Sequence, residues 1–167
     1  MNRFQRTIVA GATLALSLTS VQADHHLSVH YEGKSGPGKG KHIVLVSGDE
    51  EYRSEECLPM IGRILSEHHG FNCTVLFSVN DKGEIDPNNQ KSVTNAKAMD
   101  SADLIIIALR FRNWPDEDMK HFDAFVQSGK PVIVSNAQAK VREVFRAEGV
   151  PAFTTEDEAV AAISQFV

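Results

Sequence analysis

Asp103-Leu104-Ile105-Ile106-Ile107-Ala108-Leu109 is the stretch that decides the fold. A short apolar run without polar alternation marks a strand buried on both faces, and such strands belong to parallel sheets covered by helices on either side. Three more runs have this character: His42-Ile43-Val44-Leu45-Val46, with a turn expected at Ser47-Gly48, Cys73-Thr74-Val75-Leu76-Phe77, and Pro131-Val132-Ile133-Val134. Helical spacing separates them. Leu58, Ile61 and Leu65 mark a helix running to His69 and stopped by Gly70. Pro59 suits a first turn only, so the regular helix is expected to begin near Leu58. Pro115 opens a second helix that runs through Gln127, with Met119, Phe122, Phe125 and Val126 on one side. The long polar stretch from Ser78 to Ser101 carries at most a short helix around Ala96. Helices over 139–148 and 156–166, with a short strand over 151–153, complete the alternation. This pattern predicts an α/β fold over residues 42–167: a three-layer, doubly wound, mostly parallel sheet of about five strands, flavodoxin-like in type. Ligands of such sheets bind beyond the carboxyl ends of the strands, near the reversal of strand order.

The whole-chain arithmetic agrees with one globular domain. The chain has 167 residues, of which 42% are hydrophobic and 23% charged. Its net charge of −5 speaks against a general nucleic-acid binder, which carries a basic excess. No apolar run reaches the ~20 residues of a spanning helix, so no membrane span is expected. Residues 1–23 have the layout of a signal peptide, with Arg3 and Arg6, a short apolar stretch over Thr7 to Leu18, and the small residues of Val21-Gln22-Ala23 at the cut. This predicts a periplasmic or secreted protein. Cleavage would remove two basic residues and no acid, taking the net charge to −7. Residues 24–41 read as a flexible leader. Within it Gly33-Lys34-Ser35-Gly36-Pro37-Gly38-Lys39-Gly40 nearly matches a phosphate-binding loop. However, Gly40 stands where Ser or Thr should hold magnesium, and the loop precedes a strand rather than following one. Of the two cysteines, Cys57 falls near a helix start and Cys73 near the next strand start, about 18 Å of helix apart, so no bridge between them is predicted.

Three polar segments leave the strands at their ligand ends. Ser47-Gly48-Asp49-Glu50-Glu51-Tyr52-Arg53-Ser54-Glu55-Glu56 follows the first strand. Asp49, Glu50 and Glu51 are candidate acid/base groups that could also hold a divalent cation or sugar hydroxyls, with Arg53 beside them to order the acids or grip a carboxylate, and Tyr52 as a binding residue. A solvated acidic loop at a helix N-terminus explains the same composition. Arg110-Phe111-Arg112-Asn113-Trp114 follows the central strand: Arg110, Arg112 and Asn113 are directional donors, and Trp114 offers a flat apolar face for a sugar ring. An arginine–acid network with the first loop is the alternative. Asn136, after the fourth strand, either lines the same cleft or caps the next helix. No Gly-x-Ser-x-Gly or Gly-x-Cys-x-Gly elbow occurs, and the residues name no cofactor and no metal set.

The run from Lys41 to Glu56, the run His68-His69-Gly70-Phe71-Asn72-Cys73-Thr74-Val75-Leu76-Phe77, and the run Leu109-Arg110-Phe111-Arg112-Asn113-Trp114-Pro115-Asp116-Glu117 resemble exported ThuA-like (trehalose-utilisation-like) proteins. The resemblance spans roughly His42 to Val134 and includes loops as well as strands. It implies a class I glutamine amidotransferase-like fold without the amidotransferase cysteine. It also implies a role in carbohydrate metabolism, with an oxidised disaccharide as one candidate ligand. After Val134 the chain departs from that pattern: an Arg-Thr-x-x-His-like segment is expected, and Ser135-Asn136-Ala137-Gln138-Ala139-Lys140 stands there. The stretch from Val144 to Val160 resembles the closing unit of the flavodoxin-like domain of ADP-forming acyl-CoA synthetases. Two functions therefore stay open. One is a carbohydrate-acting or carbohydrate-binding protein with its site at the carboxyl edge of the sheet. The other is a non-catalytic module in which that edge holds a ligand or a protein.

Overall fold

The structure, a computed structural model, describes residues 27–135 and 152–153. The expected signal peptide, Asn136 and the two helices expected over 139–148 and 156–166 lie outside the described residues. Strands β1 (Val29–Tyr31), β2 (His42–Gly48), β3 (Asn72–Leu76), β4 (Leu104–Leu109), β5 (Val132–Ser135) and β6 (Ala152–Phe153) form one sheet. The helices are α1 (Ser54–His69) and α2 (Asp116–Gln127), with a 3-10 segment at Ala96–Ser101. The order is β1-β3-β2-β4-β5-β6, parallel except for β1. The five parallel strands thus run second, first, third, fourth, fifth, an order compatible with flavodoxin-like sheets.

Alternation along the strands sorts the core into two layers, because successive side chains point to opposite faces. Ile43, Leu45, Cys73, Val75, Leu104, Ile106 and Ala108 face α1 and pack on Leu58 and Leu65. Val44, Val46, Leu76, Ile105, Ile107, Val132 and Val134 face the other way, toward Met99, Trp114 and Phe125. Of the four apolar residues expected on the buried side of α2, Phe125 is buried and Met119 and Phe122 pack against the core, but Val126 is 42% exposed. No disulfide joins the two cysteines, as expected. Burial raises the Cys73 thiol to about 11, so it stays protonated and behaves as a small apolar side chain. Among the described residues no helix is long and apolar enough to cross a membrane.

Three expectations need correction. The first strand does not turn at Ser47-Gly48. These two residues extend β2 and pair with Ala108 and Leu109, because β4 is long enough to offer them partners. The first helix starts at Ser54, not near Leu58, leaving Pro59 inside it. Ser54 and the loop before it anchor that earlier start, and Glu55 and Glu56 suit the positive end of the helix dipole. Pro59 has no amide to give the Glu55 carbonyl, so the helix lacks that one i+4 hydrogen bond between its first and second turns.

The third correction concerns the leader. Val29–Tyr31 adds an antiparallel edge strand to β3, and the glycine-rich segment after it wraps the C-terminal end of α1. The Gly38 amide donates to the His69 carbonyl (2.8 Å), and the Gly33 amide donates to Asn72 Oδ1 (3.1 Å). Backbone packs on backbone so tightly that a Cβ on Gly33 would stand 2.0 Å from the Gly70 carbonyl oxygen. A Cβ on Gly38 would lie 2.5 Å from the Phe71 ring. The glycines are there for close approach, and they sit at the negative end of a helix dipole, where a phosphate is repelled. Gly38→Ala is expected to lower the unfolding free energy by about 1–3 kcal/mol in urea denaturation, through overpacking against Phe71.

Candidate functional site

The strand order reverses between β2 and β4, which lie side by side and end level, with Gly48 opposite Leu109. The loops that follow, 49–53 and 110–115, therefore leave the sheet together at its carboxyl edge. This brings Glu50 and Glu51 against Arg110 and Arg112, as the residue types suggested. Arg110 Nη1 pairs with Glu51 and stands 3.9 Å from Glu50 Oε1, and Arg112 Nη2 stands 3.4 Å from Glu50 Oε2.

The members of this cluster do different work. Asp49 is buried, and its Oδ1 accepts the amides of Glu51 (3.0 Å) and Tyr52 (3.1 Å). This carboxylate shapes the loop, in the manner of an Asx turn, rather than facing a ligand. Ser54, not singled out in the sequence, holds the base of the loop. Its buried Oγ accepts the amides of Gly48 (3.0 Å) and Asp49 (2.8 Å) and lies 2.9 Å from Ser47 Oγ. Arg53 closes the loop in a left-handed conformation, φ 52° and ψ 47°, and its exposed side chain pairs with Glu56. Its partner lies in the first turn of α1, so it serves the helix start.

Arg112 was expected to donate to a ligand, but its side chain is only 6% exposed and its hydrogen bonds are internal. Nη1 donates to the Asn89 carbonyl (2.7 Å) and Ser78 Oγ (3.2 Å), and Nη2 to the Pro87 carbonyl (2.7 Å) as well as Glu50. Burial lowers its affinity for the proton, and Glu50, Asp49 and Asp86 oppose that; a guanidinium remains charged regardless. It passes directly over Gly48, where an added Cβ would lie 3.0 Å from Nε. The polar stretch after β3 is thus a cross-linked loop with Arg112 as its hub. Asn89 Nδ2 and Ser92 Oγ both donate to the Val79 carbonyl, and Thr94 Oγ1 accepts the Phe77 amide.

Trp114 also departs from its expected role. It is 7% exposed and belongs to the core under α2, with Val93 and Phe125, so it offers no platform to a sugar. The chain turns inward there because the Asn113 amide is tied to the Gln90 carbonyl (2.8 Å). The exposed aromatic of this loop is Phe111, at 64%, and Tyr52 in the facing loop is 62% exposed. Phe111 has φ 51°, and the Arg110 guanidinium lies 4.9 Å from its ring centroid. A left-handed phenylalanine costs about 1–2 kcal/mol. Its signal in the sequence is an aromatic between two arginines beyond a buried strand. Asn113 is exposed beside it.

Among the described residues no three His, Cys, Asp or Glu side chains converge as metal ligands. Compared with protein-family models, curated proteins and solved structures, the chain gives no match in any of the three. Arg112→Lys is expected to cost about 2–4 kcal/mol in urea unfolding and to raise amide exchange across residues 78–92, since an ammonium cannot serve four diverging acceptors as a fork does.

Proposed function

We propose that the carboxyl edge at β2 and β4 binds a carbohydrate, in a protein that resembles the ThuA-like family and shares its glutamine amidotransferase-like fold and export. The observation that carries this reading is Phe111, a strained and exposed ring at the point where strand order reverses. Backbone strain persists where the surroundings impose it, and it clusters at ligand sites. A sugar has apolar C–H faces and a rim of hydroxyls. Phe111 and Tyr52 supply rings for the faces. Glu50 and Glu51 supply acceptors, and Arg110 and Asn113 supply donors, for the hydroxyls. The ion pairs are partly exposed and worth only ~0.2–1 kcal/mol each, so they orient these groups more than they stabilise the fold.

Binding without turnover is favoured over catalysis by two observations: Asp49 is committed to its own loop and Arg112 to the loop after β3. Of the four expected catalytic residues, Asp49, Glu50, Glu51 and Arg53, only Glu50 and Glu51 are left to meet a ligand.

Phe111→Gly is expected to weaken binding of a disaccharide such as trehalose at least about tenfold by isothermal titration calorimetry. It should also raise the unfolding free energy by about 0.5–1 kcal/mol, because glycine accepts φ 51° freely. Unchanged affinity would remove the platform role. A keto-sugar turnover assay on a Glu50→Ala, Glu51→Ala double variant separates the two readings: the expected result is no turnover in either this variant or the parent. Turnover by the parent that the variant loses would make these carboxylates catalytic.

A further inference from the structure

At the opposite end of β2, away from the ligand edge, a row of polar side chains crosses three strands. His42 on β2 and His30 on β1 both reach the hydroxyl of Thr74 on β3, His42 through Nε2 (2.9 Å) and His30 through Nδ1 (3.0 Å). The row continues at each end. His42 Nδ1 lies 3.1 Å from Ser101 Oγ, His30 Nε2 lies 3.1 Å from Ser28 Oγ, and Asn95 Nδ2 donates to Ser28 Oγ (3.2 Å). Thr74 is buried, and its hydroxyl offers one proton and two lone pairs.

With both imidazoles neutral, one set of donors satisfies the whole row. Ser101 donates to the Ala98 carbonyl (3.2 Å), so it accepts from His42 Nδ1–H. His42 Nε2 then accepts from Thr74, Thr74 accepts from His30 Nδ1–H, His30 Nε2 accepts from Ser28, and Ser28 accepts from Asn95. One added proton is absorbed by reversing part of the row. If it sits on His42, Thr74 turns its O–H to His30, and His30 donates to Ser28 at the solvent-exposed end. A second proton has no such solution. Both imidazolium rings then donate to Thr74, its own O–H is left buried without an acceptor, and two cations share one oxygen.

We propose that this row makes the seating of β1 acid-sensitive: the folded sheet accommodates one imidazolium between β2 and β1 but not two, so β1 lifts from β3 when both are charged. β1 is suited to this, being three residues long, at the sheet edge, with Leu27 and Val29 exposed beside His30. The other charged groups near His42 are Asp103, whose Oδ2 accepts the His42 amide (2.8 Å), and Lys41, 3.8 Å from Asp103 Oδ1. Burial holds His42 below its ordinary value and the neighbouring His30 lowers it further, while Ser101 and Asp103 work against this. The sign follows. A histidine whose folded value is depressed contributes stability that is whole above its unfolded value of 6.5 and is lost as pH falls below it.

Hydrogen exchange on the full chain, at pH 8 and pH 5 and corrected for intrinsic rates, tests this. Protection of residues 28–32 is expected to fall about tenfold or more on acidification, while α2 keeps its protection. In His30→Gln, which keeps a hydrogen-bonding side chain but cannot take the second charge, the fall should be under about threefold. An equal loss in the parent and in His30→Gln, or no loss in the parent, overturns the proposal.

Discussion

Arg112 lies across the backbone of Gly48, and the carboxyl edge of the sheet is organised around that crossing. A buried guanidinium is costly unless most of its donors are met. Here two backbone carbonyls, a serine hydroxyl and a glutamate, drawn from segments far apart in the chain, meet the two Nη groups, while Nε, against Gly48, has no partner. Gly48 is what lets the side chain pass. One arginine thereby ties the loop after β2 to the loop after β3, and does so from the loop after β4.

With the scaffold role taken by Arg112, Asp49 and Ser54, the groups left to face outward are Glu50, Glu51, Arg110, Asn113 and the rings of Tyr52 and Phe111. This separation divides the roles of a loop so rich in charge. The charges that hold the loops are buried and hydrogen-bonded, and those that face solvent pair with one another across the two loops. Phe111 is the exception to economy in this region, because neither burial nor hydrogen bonding explains a left-handed aromatic residue on the surface.

Much of the fold could be read before the structure. Strands as apolar as Leu104–Leu109 have no other stable home than a covered parallel sheet, and the strand order places the first and third of them together at the switch point. The meeting of the 49–53 and 110–115 loops followed from that alone. What could not be read was the direction of individual side chains. Trp114 and Phe111 are both aromatic and three residues apart, and only the anchoring of Asn113 to Gln90 decides which turns inward. Likewise the donors of Arg112 are spent on backbone carbonyls, which carry no signature in residue type. The glycine-rich leader misled for a related reason. Glycine marks both freedom and close approach, and at Gly33 and Gly38 it is the contact with the end of α1, invisible in the sequence, that decides.

The most direct test of the account is to map amide chemical shifts of the ¹⁵N-labelled full chain during titration with trehalose and related disaccharides. The account predicts saturable shifts confined to residues 49–53 and 110–113, adjoining the ends of β2 and β4. Saturable shifts centred elsewhere, with these two loops unmoved, would contradict it.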